Sequence, residues 1–206
     1  MRLANNDSGQ AGRNSAPSKT RGFTLIELMV TIAVLAILLA IAFPSFTGII
    51  NGNRLSAASN EWLATLQVAR MESVRRNTRV VICPSTDGST CSGTSWQRAI
   101  AFVDVNRDGA SNGGVEIVLR DTSVAAPVAV SVSPAISGAT PANRITLRPD
   151  GLAHPGNASA VLTSKIGLCI VTTQPLRNAR QVSIGGSRVS VDLPLTSSAC
   201  AIPANT

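Results

Sequence analysis

Few side chains in this 206-residue sequence have types and spacings that could do chemistry. The four cysteines at 83, 91, 169 and 200 include no C-x2-C pair, and the single histidine, His154, stands apart from them, so a zinc centre is excluded by pattern. Two disulfides are the alternative. Three connectivities are open, and the simplest joins Cys83 to Cys91 and Cys169 to Cys200, which implies an oxidising compartment. His154 precedes Pro155 in a predicted loop and reads as solvated. With no glycine-rich phosphate cradle, no nucleophile beside a base and no metal set, the sequence predicts a protein that is not an enzyme and takes no cofactor.

Two further patterns carry charge. The run Asp104-Val105-Asn106-Arg107-Asp108-Gly109 matches the opening of a calcium loop, D-x-N-x-D-G. Its twelfth position is Val115 instead of the bidentate glutamate, and Glu116 comes one residue late. A turn held by Asn and Asp side chains explains the pattern without a metal; calcium on Asp104, Asn106 and Asp108 is the alternative. Near the C-terminus, Arg177, Arg180 and Arg188 surround a predicted hairpin whose turn is Gly185-Gly186-Ser187. They are either solvated strand residues or a weak phosphate-binding surface.

The remaining charge of interest is Glu27, the only one in the 21-residue run FTLIELMVTIAVLAILLAIAF at 23–43. As a helix that run is about 31 Å long, the thickness of a bilayer core. A carboxylate inside such a segment costs about 2 to 3 kcal/mol unless it lies near the edge or is paired. Lys19 and Arg21 precede the run and predict a cytoplasmic N-terminus with everything after residue 43 on the far side. A secretory signal cut at Ala40-Ile41-Ala42 and a plain anchor with a snorkelling Glu27 are the competing readings. Residues 1–22, rich in Asn, Ser, Gly and Ala, have no apolar periodicity and read as a basic leader. Removing Arg2, Arg13, Lys19, Arg21 and Asp7 with it lowers the net charge from +7 to +4, which does not by itself demand a nucleic-acid partner.

The elements that must position these groups follow from periodicity. Pro44, Gly48 and Gly52 predict a kinked or loosened stretch. Leu55, Ala58, Trp62, Leu66 and Ala69 then step by three and four, giving an amphipathic helix within 44–77 whose stripe packs on a sheet. Residues 78–206 read as strands at 79–83, 99–105, 115–120, 128–132, 144–148, 165–172, 181–184 and 188–193, separated by turn residues. The expected fold is α+β: a long N-terminal helix, half transmembrane and half amphipathic, packed on an antiparallel β-sheet. Aromatic content of 3% with no tyrosine predicts an aliphatic core.

The segment Lys19-Thr20-Arg21-Gly22-Phe23-Thr24-Leu25-Ile26-Glu27-Leu28 resembles the class III signal of type IV pilins and secretion pseudopilins. Val80-Val81-Ile82-Cys83-Pro84-Ser85, Trp96, the Phe102–Gly109 run, Val118-Leu119-Arg120 and Arg148-Pro149-Asp150-Gly151 follow in an order similar to the GspH/FimT type of minor pilin, and the likeness covers 19–193. The resemblance implies a pilin fold, cleavage between Gly22 and Phe23 by a prepilin peptidase, N-methylation of Phe23, and neutralisation of a neighbouring subunit's terminal amine by Glu27. It implies a single-pass inner-membrane protein with a periplasmic domain, working with other pilins or pseudopilins and an inner-membrane assembly platform in a type IV pilus or a type II secretion pseudopilus. FimT-like pilins that bind DNA for uptake carry Gly-Arg-x-Arg at the C-terminal hairpin. Here Ser187-Arg188-Val189-Ser190 keeps only Arg188, so the resemblance implies at most weak DNA contact.

Overall fold

The computed structural model describes residues 22–111 and 116–205, the side chains of 41–45 excepted. Helix α1 (Leu25–Arg76) is followed by β1 (Arg79–Pro84), β2 (Arg98–Asp104), β3 (Val118–Ser123), β4 (Ala129–Val132), the single turn α2 (Pro134–Ser137), β5 (Ile145–Leu147), β6 (Ala153–Pro155), β7 (Thr163–Cys169), β8 (Ala179–Gly185) and β9 (Arg188–Val191). The fold class is α+β, with the strands divided between two antiparallel sheets instead of the expected one. The first has the order β3-β2-β1-β5-β6 and the second β4-β7-β8-β9. Two compact units are distinguished, Met1–Ile41 and Ala42–Thr206.

The helical span of α1 runs from Leu25 to Arg76 and includes Pro44, which has no N–H to donate to the preceding turn. The helix stops where left-handed backbone begins: Asn77 takes φ +50°, its N–H reaches Val74 O, and Thr78 N–H reaches Ser73 O. This pair of bonds caps the last carbonyls, with Asn in the place glycine most often fills.

Within the larger unit the predicted stripe is the buried face of α1, as Leu55, Ala58, Trp62, Leu66 and Ala69 all lie in the main core. Polar contacts fix the helix against both sheets. The Thr65 and Thr122 hydroxyls share a hydrogen bond of 2.6 Å, Ser73 Oγ donates to Arg148 O at 3.0 Å, and Arg70 Nη2 donates to Gly186 O at 3.1 Å. The aliphatic core contains one aromatic pair, Trp62 and Trp96, with ring centroids 5.8 Å apart.

Strand alternation gives the first sheet two apolar faces. Val80 and Ile82 of β1 join the main core, while Val81 and Cys83 meet Ile100 and Phe102 on the other side. Cys91 packs onto that second cluster and is bonded to Cys83, with Cα atoms 5.6 Å apart, so the disulfide loop closes over the outer face. β6 escaped the sequence reading because it is three residues long and ends in proline, which suits its place at the sheet edge.

Candidate functional site

At the N-terminal end, Thr24 stands just before α1 and its Oγ1 accepts the Glu27 N–H at 3.2 Å. Thr24-Leu25-Ile26-Glu27 thus has the spacing of a capping box, and Glu27 in the first turn complements the positive end of the helix dipole. The T-x-x-E spacing is the sequence signal for this cap. The Glu27 carboxylate has no ion pair among the described residues. Phe23 is 83% exposed, and a Cβ added at Gly22 would meet nothing within 4 Å among the described residues. From Leu25 to Leu39 the large apolar side chains are exposed on every side of the helix. Among the described residues no helix is long and apolar enough to cross a membrane. The side chains of 41–45 lie outside the described ones, and with them the end of the apolar run at 23–43.

The cysteines are paired Cys83–Cys91 and Cys169–Cys200, the simplest of the three connectivities. The second bridge returns the C-terminal tail to β7, and a residue that the sequence did not single out supports it. Asn178, buried, donates to Ile170 O at 2.7 Å and Ser197 O at 2.8 Å, and accepts the Ser197 N–H at 2.9 Å. His154 corrects an expectation. It is buried in β6 opposite Thr146, not solvated in a loop, with Nδ1 2.8 Å from Ala160 O. The strand forms because its backbone completes the edge of the first sheet, outweighing the loop signal of the adjacent proline.

The hairpin bearing the arginines is present as β8 and β9 joined by Gly186 and Ser187, Gly186 taking φ +61°. The arginines are not brought together. Gly185 pairs with Arg188, whereas Arg180 pairs with Leu168 and lies, by strand alternation, on the face of Val182 and Ile184. Arg180 is half-buried near the opposite end of β8; Arg177, in the preceding loop, and Arg188 are exposed.

On the helix, Glu72 receives Arg75 Nη2 at 2.7 Å and Arg76 Nε at 2.6 Å, which hold its carboxyl down to about 2. Arg120 Nη2 bonds Glu61 Oε1 at 2.7 Å, tying β3 to α1.

The calcium-like run occupies the connection from β2 to β3. Asn106 Oδ1 accepts the Asp108 N–H at 3.1 Å and Asp108 Oδ1 accepts the Ala110 N–H at 2.7 Å, the turn chemistry expected of Asn and Asp. Val115 lies outside the described residues. Oxygens of Asp104, Asp108 and Glu116 converge to within 4.8 Å of one another, so Glu116 joins a cluster from which the sequence count excluded it. Burial pushes the Asp104 carboxyl up.

Two family patterns match the chain: the type II transport protein GspH over residues 58–187, and the prokaryotic N-terminal methylation motif over residues 17–43. Among solved structures, it is similar to the type IV minor pilin FimU of Pseudomonas aeruginosa strain PAO1 in two crystal forms. One match has 19% identity and a TM-score of 0.47, covering 68% of this chain and 90% of that one. The other has 17% identity and a TM-score of 0.46, covering 68% and 93%. The GspH pattern spans more than half of the sequence: the chain belongs to the GspH family of pilin-like type II transport proteins and carries their N-terminal methylation motif.

Proposed function

We propose that this protein is a minor pilin or pseudopilin that is cut between Gly22 and Phe23, N-methylated at Phe23, held in the inner membrane by 23–43, and built into a filament that it helps to start or cap. One observation carries the reading. The apolar side chains of 25–39 are exposed around the whole helix, so among the described residues nothing removes them from water, and burial is left to lipid or to other subunits. Glu27 fits the same scheme as the one acid in that surface, without an ion pair among the described residues. Pairing with a neighbour's terminal amine removes the desolvation penalty each charge bears alone.

In this scheme 1–22 is the leader, 44–77 the connecting amphipathic helix and 78–206 the periplasmic domain. Replacing Glu27 by alanine tests the assembly role. Membrane insertion is retained or improved, while recovery of the subunit in sheared filaments falls at least several-fold. Equal recovery of mutant and parent leaves Glu27 with no part in assembly. A DNA contact has less behind it, because Arg180 and Arg188 lie on opposite faces of the second sheet. Weak, phosphate-directed, sequence-independent binding is the most these arginines offer.

A further inference from the structure

We propose that Asp104, Asp108 and Glu116 bind one calcium ion that fastens the connection between β2 and β3. By sequence count Glu116 falls one residue beyond the twelfth loop position, and register explains how it still arrives. Ala101 pairs with Arg120, but Phe102 pairs with Val118, so a bulge between them shifts the ladder by one residue. Past the bulge, Val103 N–H donates to Ile117 O at 3.0 Å, and the same register continued places Asp104 opposite Glu116. Without the bulge Asp104 would face Ile117 and Glu116 would face Val105. Opposed residues of an antiparallel pair hold their Cβ atoms about 4.5 to 5.5 Å apart, close enough for two carboxylates to share an ion.

The second observation is an oxygen with nothing to bind. Asp104 is fully buried; its Oδ2 accepts the Gly109 N–H at 3.3 Å, while Oδ1 has no hydrogen-bond partner among the described residues. A desolvated carboxylate oxygen without a donor is costly, and two further carboxylates close to Asp104 add repulsion. A cation reverses both effects at once. Oxygens within 4.8 Å of one another lie within about 2.8 Å of a common point, a few tenths of an ångström from calcium's contact distance of about 2.3 to 2.6 Å. Three hard carboxylate donors suit calcium, whose coordination is flexible, over magnesium, which demands near-octahedral geometry and gives up its water reluctantly.

The test uses the full chain, purified in detergent and stripped of metal with a chelator, titrated calorimetrically with calcium chloride and separately with magnesium chloride. Saturable binding of about one calcium per chain is expected, with a dissociation constant of about 1 mM or tighter, as in extracellular calcium modules. Magnesium should bind at least ten-fold more weakly. Glu116→Gln should weaken calcium binding at least ten-fold with an unchanged circular dichroism spectrum, and Glu72→Gln, outside the cluster, should leave it unaltered. Asp104→Asn is the second variant; should either variant fail to fold, the other variant and the parent's calcium and magnesium curves decide. Absence of saturable calcium binding in the parent, equal binding of magnesium, or a folded Glu116→Gln protein that binds as tightly as the parent overturns the site.

Discussion

The same helix treats its apolar side chains in two opposite ways. Along 25–39 they are exposed on every side, whereas along 55–69 a narrow stripe of Leu55, Ala58, Trp62, Leu66 and Ala69 is buried by the two sheets. Secondary structure is therefore not what separates the halves. The second half is amphipathic and satisfied within the chain, so its residues are set by packing and should answer to stability measurements. The first half is apolar all round and covered by nothing among the described residues, so its residues should answer to insertion and assembly measurements.

The largest effect that would break this contrast lies in the buried stripe. Trp62→Ala removes a fully buried ring that packs on Trp96 and should cost about 3 to 5 kcal/mol in urea unfolding followed by circular dichroism. Leu35→Ala, in the exposed half, should leave the unfolding midpoint unchanged. Comparable losses in both would show that the apolar half is packed inside the chain after all.

The disulfides come next, because they grade stability within the larger unit. Cys169→Ser with Cys200→Ser opens the longer loop, of separation 31, and should cost about 3.5 kcal/mol; opening Cys83–Cys91, of separation 8, should cost about 2.5 kcal/mol. Equal midpoints for the two double mutants would remove loop length as the reason. A lysine at Leu35 moves the test to the other half: it should lower membrane partitioning by about 2.5 to 3.5 kcal/mol while domain stability stays constant. Flotation of membranes and urea curves from one preparation measure both.

The smallest effect is the pH dependence of Glu72. Its folded carboxyl, held by Arg75 and Arg76, titrates at about 2, below the ordinary value of 4.5. The stability it contributes is present above 4.5 and is lost as pH falls through about 2. The urea midpoints of the parent and Glu72→Gln should therefore differ at pH 7 and converge near pH 2. A gap that persists at pH 2 would assign the effect to something other than this ion pair.

Much of this was legible in the residues. The stripe on α1 follows from spacing alone, because helical period and burial coincide there; the apolar run at 23–43 and its acid are equally plain. Long strands such as β2 and β7 announce themselves by β-branched and apolar content. What could not be read depended on pairing at a distance. β6 exists because an edge was available, His154 is buried because β6 exists, and the strands divide into two sheets through pairings that no local pattern encodes. Glu116 was excluded by counting along the chain, and a bulge in a neighbouring strand, invisible to counting, brings it to Asp104.

The central claim is that the exposed apolar half is made functional by a cut that frees Phe23. Mass spectrometry of the mature protein isolated from membranes measures this directly. The account predicts an N-terminal peptide beginning at Phe23 and heavier by one methyl group, and accumulation of the uncut precursor when Gly22 is replaced by a bulky residue. A mature protein beginning at Met1 or at Phe43, or an unmethylated Phe23, would contradict it.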